Sequence, residues 1–296
     1  MEKLSGNIKV TINDDVVRKM KEAYLTCPTA IKYVNSLGIP GEQIDENISK
    51  IYDFVRDINY CKRCPGLDNC LKADAHLCTK IVYQDGVVER QLTPCKEFLK
   101  RLEFMSQFAV RDFDKAWLEV QIKGLDNTDQ RKEVLEKYFN YISDGTSDWI
   151  YICGEQNTGR TYLAAVIAGD LARKNKGPIA FLNTSLRTKE LSDYSFKNQD
   201  EFKKLIDKYS SVPVLVLDDF GNEFKNDFVR DGIIFEILNK RSSNHLFTIF
   251  TSDFTIDDIV SLYSVNKAAA IRARQIGKII RNNAKEEISL GEISIY

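Results

Sequence analysis

The 296-residue chain has no uninterrupted apolar run near the ~18 residues that span a bilayer, and its opening stretch, MEKLSGNIKVTINDDVVRKM, carries acidic residues where a leader would have an apolar core. These absences predict a cytoplasmic protein with no membrane partner. An excess of one charge is also lacking, since 42 Lys and Arg face 43 Asp and Glu. The average field therefore attracts no polyanion, and any nucleic-acid contact must come from a local basic face. Internal repeats and low-complexity segments are absent too. What remains is a globular chain, long enough for one large domain or two ordinary ones, whose 43% hydrophobic residues fill a real core.

Cysteine, by contrast, is concentrated. Five of the seven, Cys61, Cys64, Cys70, Cys78 and Cys95, fall within 35 residues, and in a reducing compartment such clustering points to metal ligation over disulfides. CKRC, at 61 to 64, is a knuckle whose two thiolates grip one tetrahedral ion, and Cys95 follows a candidate hairpin. Cys78 is the expected fourth ligand. Cys70 is the alternative, and His76 is also within reach. The ion expected is a structural zinc, because no neighbouring residues resemble an open hydrolytic site. Cys27 and Cys153 sit alone in apolar surroundings and read as core.

Residues 13 to 58 have helical spacing. NDDVVRKMKEAYLT puts Val16, Met20, Ala23 and Tyr24 on one face behind a capping Asn or Asp, and GEQIDENISKIYDFVRDI aligns Ile44, Ile48, Ile51, Phe54, Val55 and Ile58. Pro28 and the stretch Gly38-Ile39-Pro40-Gly41 break the run. KIVYQDGVVERQL predicts a β-hairpin turning at Asp85-Gly86. Residues 101 to 127 are charged, with isolated aromatics Phe104, Phe108, Phe113 and Trp117, and are expected to be a linker that docks on something. From residue 128 onward, helices alternate with the apolar strands WIYIC, PIAFLN, VPVLVLDD and HLFTIFTSD, the pattern of a parallel sheet covered on both faces.

GEQNTGRT, residues 154 to 161, matches G-x-x-x-x-G-K-[ST] at Gly154, Gly159 and Thr161, with Arg160 in the lysine position. A strand precedes it and an amphipathic helix follows, the context in which amide N–H groups and the positive helix end face a phosphate. The expected nucleotide-binding set is therefore Gly154, Glu155, Gln156, Asn157, Thr158, Gly159, Arg160, Thr161 and Tyr162. Within it, the Thr161 hydroxyl goes to Mg²⁺ and Arg160 reaches toward the terminal phosphates. VPVLVLDDFG emits two carboxylates from the C-terminal end of a buried strand, where ligands of parallel sheets bind. Asp218 suits the Mg²⁺ shell, and Asp219 suits orienting or deprotonating an attacking water. HLFTIFTSD ends in Thr251, Ser252 and Asp253, positioned to sense a γ-phosphate or simply to cap the next helix.

GEQNTGRTYLAAVIAGDLARK, VPVLVLDDFGNEF and FTIFTSDF together resemble the ATPase core of the bacterial replicative helicase loaders, the DnaI/DnaC family of AAA+ proteins. The cysteine-rich half resembles the helicase-binding domain of the DnaI branch. The resemblance implies an α/β fold in which an AAA+ P-loop domain, residues 128 to 296, follows an N-terminal, mostly helical zinc-binding domain, residues 1 to 100. It implies ATP and Mg²⁺ as ligands, the hexameric helicase and single-stranded DNA as partners, self-association on the helicase, and a role in replication initiation or restart. Basic residues near the end of such cores complete the site in cis or across a subunit boundary; Arg274 and then Lys278 are the choices, ahead of Arg230 and Arg241. Lys174, Lys176, Arg187 and Lys189 offer charge for DNA.

Two letters depart from that family. Arginine binds phosphate without the compact fit of lysine. Where asparagine is common, an ionised Asp253 only accepts hydrogen bonds and repels a γ-phosphate. Both changes predict weak or absent hydrolysis. Two rival functions share these residues: an IstB-like transposition-accessory ATPase, which does not account for the cysteine-rich half, and a zinc-stabilised helicase adaptor that no longer hydrolyses ATP.

Overall fold

The computed structural model describes residues 14–126 and 128–291, in two units, Met1–Leu102 and Glu103–Tyr296. Asn13, one of the expected helix caps, lies outside the described residues.

In the first unit, α1 (Asp14–Leu25), α2 (Pro28–Ser36), α3 (Gly41–Glu46) and α4 (Ile48–Cys61) follow the apolar spacing. Pro28 opens α2, where a missing N–H leaves no bond unmade. The hairpin pairs β1 (Leu77–Gln84) with β2 (Val87–Pro94) around Asp85 and Gly86. Those two residues take φ values of 53° and 78°, the left-handed pair that a twisted two-residue turn requires. Ile81 and Val88 bury themselves with Tyr24, Cys27, Val34, Ile51 and Val55. The hairpin is also tied to the helices by polar bonds: Tyr33 Oη donates to the Ile81 carbonyl at 2.9 Å, and Lys50 Nζ to that of Val88 at 2.7 Å.

The boundary between the units falls within α5 (Lys96–Ser106). The second unit is a six-stranded, wholly parallel sheet in the order β3-β5-β6-β7-β4-β8. Its strands are β3 (Phe108–Arg111), β4 (Ile150–Gly154), β5 (Ile179–Asn183), β6 (Val214–Asp218), β7 (Phe247–Ser252) and β8 (Glu287–Leu290). Successive residues feed opposite faces. Leu215 and Leu217 join one core with Tyr151, Leu182 and Phe250, while Val214 and Val216 join another with Ile152, Phe181 and Ile249. A strand with two buried faces must be apolar throughout, which is why β6 reads VLVL before its acids.

The helices are α6 (Asp129–Asp144), α7 (Arg160–Arg173), α8 (Thr184–Lys197), α9 (Gln199–Ser211), α10 (Glu236–Ser243), α11 (Ile256–Tyr263) and α12 (Lys267–Ala284). A π-helical stretch, Phe228–Phe235, runs directly into α10 in the segment between β6 and β7. Two edge strands, β3 and β8, were also not expected. β3 corrects the linker reading: residues 103–126 belong to the second unit, with Phe104, Phe108, Phe113 and Trp117 packed on the face formed by α6, α7 and the sheet. Short edge strands carry too few residues to show a period, and these four aromatics were the visible part of the signal. Cys27 and Cys153 are core, as expected.

Among the described residues, no helix is long and apolar enough to cross a membrane.

Candidate nucleotide site

β4 ends at Gly154, and α7 begins six residues later at Arg160. Gly154 has φ 141°, and a Cβ there would lie 2.5 Å from the Leu290 carbonyl oxygen on β8; Gly159 has φ 84°. Only glycine meets both requirements at low cost. Thr158, buried, donates to the Glu155 carbonyl at 2.9 Å and closes the loop on itself, while Glu155, Gln156 and Asn157 face solvent. Tyr162 turns away, edge-on to Trp117 at 5.6 Å.

The parallel register then does the gathering. Leu217 of β6 pairs with Phe250 of β7, so Asp218 arrives beside Thr251. Thr251 Oγ1 donates to Asp218 Oδ1 at 2.5 Å and accepts from the Asp219 amide at 3.1 Å. Burial pushes the Asp218 carboxyl up to about 6, against the hydrogen bonds from Thr251 and Thr161; Asp219 adds to the rise and Arg160 opposes it. Asp219 is raised by burial and by the neighbouring Asp253, with Arg160 opposing. Its backbone is left-handed at φ 54°, a conformation that aspartate tolerates better than most residues. Asn183, at the end of β5, reaches Asp219 Oδ2 at 3.4 Å. Ser252 is structural, donating to the Phe220 carbonyl at 2.6 Å and accepting from the Phe254 amide at 3.0 Å.

The two unusual letters turn out to be partners. Arg160 is only 7% exposed. One guanidinium nitrogen donates to the Gly154 carbonyl at 2.7 Å and to that of Ser252, and the other donates to Asp253 Oδ1. Asn222 Nδ2 holds the second Asp253 oxygen at 3.0 Å. Burial alone would raise the Asp253 carboxyl, but hydrogen bonds from Arg160 and Asn222 and the charge of Arg160 hold it below the usual carboxylate range. Asn183 and Asn222 escaped the sequence reading; their positions, at a strand end and three residues past the acidic pair, were the available signal.

Arg274 and Lys278 stand exposed on α12 and make no hydrogen bond or ion pair with the loop or the three aspartates. Arg230 is held by Asp227 and Asp231. Arg241 is interior: it is fully buried and donates to the carbonyls of Tyr209, Val212 and Phe247 and to Thr248 Oγ1. Of the residues considered for DNA, Arg187 is committed to Asp112 and Glu190, and Lys174 pairs with Asp170. Lys176 and Lys189 are exposed.

The cysteines are only partly gathered. Cys61 Sγ and Cys78 Sγ lie 3.9 Å apart, close to the separation of two thiolates at ~2.3 Å from one tetrahedral zinc. Burial and the adjacent Cys78 raise the Cys61 thiol to about 11. Cys64 is exposed, Cys95 Sγ accepts from the Phe98 amide at 3.4 Å, and the His76 ring nitrogen is engaged with the Leu67 carbonyl at 2.9 Å. Lys72 Nζ sits 3.7 Å from Cys78 Sγ and 3.0 Å from Asp57. Among the described residues, no three His, Cys, Asp or Glu side chains are placed to hold one metal ion. Of the expected set Cys61, Cys64, Cys78 and Cys95, with Cys70 the alternative to Cys78, only Cys61 and Cys78 are thus brought together at a separation that fits zinc.

No protein-family model matches the chain. It is 26% identical to the replicative helicase loader DnaI of Bacillus subtilis (strain 168) over 233 residues, 75% of this chain and 73% of that protein. A crystal structure of DnaI superposes with a TM-score of 0.56 at 26% identity, covering 63% of this chain and 98% of that one. The chain resembles DnaI in sequence and in fold. The likeness to DnaI in sequence extends beyond the candidate nucleotide site, because 75% of this chain is more than the unit Glu103–Tyr296 contains and so reaches into the first unit. A putative primosome component from Streptococcus pyogenes serotype M3 shares the fold at a TM-score of 0.53 and 23% identity, over 67% of this chain and 100% of that one.

Proposed function

We propose that this chain is a loader of the replicative DNA helicase, placing the hexamer on single-stranded DNA, with its second unit as a nucleotide-dependent switch. The observation that carries the reading is the likeness to DnaI over 75% of this chain, which reaches into the first unit, joined to a phosphate-type loop beside the buried Asp218 and the half-buried Asp219. The loop amides from Glu155 to Arg160 and the N-terminus of α7 favour a nucleotide's phosphates. Thr161 and Asp218 are the residues to hold Mg²⁺, and Asp219 is the residue to orient water. When bound, ATP with Mg²⁺ would supply the free-energy difference between two states of the loader. Thr251 clamps Asp218 and the Asp219 backbone together, so a change at either acid is transmitted to β7.

In this reading the first unit holds the helicase, Lys176 and Lys189 are the basic residues free to meet DNA, and copies of the loader associate on the helicase. Arg274 and Lys278, exposed on α12, are available to a neighbouring copy and not to their own loop. A structural zinc at the cysteine segment is supported by the Cys61–Cys78 separation; metal analysis of the purified protein and of Cys61→Ser tests it, with equal zinc in both counting against these ligands. The deciding experiment for the function is helicase loading: this chain should co-elute with the replicative helicase and raise its unwinding of primed single-stranded DNA. Failure to bind the helicase would refute the proposal.

A further inference from the structure

The Arg160–Asp253 pair bears on which nucleotide the site accepts. In a phosphate-binding loop, the residue before the Ser or Thr reaches the β- and γ-phosphates. Here that residue's reach ends on the carboxylate of Asp253, and its other terminal nitrogen is fixed between the Gly154 and Ser252 carbonyls. One oxygen of Asp253 thus stands toward the loop's cation as an oxygen of a terminal phosphate would. Asn222 clamps the other oxygen from behind, so the carboxylate is anchored and does not swing freely aside.

A guanidinium has five N–H donors. Two on one terminal nitrogen go to carbonyls and one on the other goes to Asp253, leaving Nε–H and one further N–H without a partner among the described residues. The loop amides and these two donors are enough to receive a diphosphate. A third phosphate would instead meet the anchored carboxylate of Asp253, which already occupies the loop's cation.

We infer that Asp253 acts as an internal stand-in for the γ-phosphate and makes the site selective for a nucleoside diphosphate over the triphosphate. The inference rests on the nucleotide-site reading above and deepens it. Read separately, the two altered letters each weaken an ATPase. As a pair, they keep the loop closed and neutral without a third phosphate. The resting state of the loader is then the diphosphate-bound or nucleotide-free one, and ATP must displace a built-in anion to change it.

Titration calorimetry of the full-length protein with ADP and with ATP, each with Mg²⁺, tests this. ADP is expected to bind at least about tenfold more tightly than ATP, since a like charge facing a ligand costs several kcal/mol. Asp253→Asn should raise ATP affinity enough to close that gap while leaving ADP affinity within about threefold, because the amide removes the repulsion and keeps an oxygen for Arg160. Arg160→Lys retains Asp253 and should still prefer ADP. Equal or tighter binding of ATP by the wild type overturns the inference and leaves the nucleotide site standing. Equal losses for both nucleotides in Asp253→Asn would make Asp253 a structural anchor only, and also overturn it. No binding of either nucleotide by the folded wild type sinks the site and the inference together.

Discussion

Asp218, Thr251 and Asp253 in the second unit, and Cys61, Cys64, Cys78 and Cys95 in the first, are residues spread along the chain for which the sequence offered a common purpose. Only the first group is drawn fully together. The difference lies in what carries them. Asp218, Thr251 and Asp253 sit at or next to the ends of adjacent parallel strands, where the pairing of Leu217 with Phe250 and of Cys153 with Ser252 fixes the positions of their neighbours. In the first unit the same rule holds for the pair that does meet: Cys61 ends α4 and Cys78 lies on β1, two packed elements, and their sulfurs are 3.9 Å apart. Cys64 and Cys70 are on irregular chain between those elements. Residues carried by regular structure are positioned by the core, whereas residues on connections need a ligand or partner to position them.

The largest effect is expected from removing what aligns the strands of the second unit. Arg241 bonds the C-terminal end of α9 to the start of β7 through three carbonyls and Thr248, and burial lowers its own guanidinium to about 9. Arg241→Met removes the buried charge but leaves those carbonyls unpaired, so a loss of about 3 kcal/mol is expected in denaturant unfolding. An unchanged midpoint would show that strand register does not depend on this residue.

The cysteine side can be tested at Lys72, which pairs with Asp57 and approaches Cys78 in largely buried positions, Lys72 9% and Asp57 13% exposed. Lys72→Met strands Asp57 with the Thr79 amide as its remaining bond. A cost of about 2 kcal/mol is expected in metal-free protein, where this pair holds α4 against β1. If the metal-free variant unfolds like the wild type, the polar cluster contributes nothing to joining the two elements.

A pH-dependent effect of similar size is expected at the candidate nucleotide site. Burial raises Asp218 from its ordinary 3.8 to about 6, so the folded state holds this proton more tightly than the unfolded one. Stability from this group is therefore greatest below the unfolded value, falls as pH rises between the two values, and is fully lost above about 6. Asp218→Asn removes the charge and should stabilise the nucleotide-free protein by about 2 kcal/mol near pH 8, with the gain fading near pH 4. Melting curves at both pH values read it, and a gain independent of pH would mean that Asp218 is not the titrating group. The same variant should weaken Mg²⁺-dependent nucleotide binding, so stability and function move in opposite directions.

Much of the second unit was legible because local rules and global fold agree there. The apolar runs WIYIC and VPVLVLDD, the two loop glycines and the acids after β6 are each short-range signals, and a buried parallel strand leaves little freedom in how it is written. The Asp85-Gly86 turn was legible for the same reason. β3 and β8 were not, since four residues at a sheet edge show no period. Nor was the internal role of Arg241, whose letter looks like that of any surface arginine until its carbonyl partners are in place.

By itself the sequence determined which groups are available: a glycine-shaped loop between strand and helix, a pair of adjacent acids at a strand end, and a reservoir of thiols. Only the tertiary structure decided that Arg160 and Asp253, 93 residues apart, are one ion pair and not two separate defects. The physical reason is that sequence fixes what each side chain is able to donate or accept, while the register of adjacent strands fixes which of them lie within 3 Å of one another.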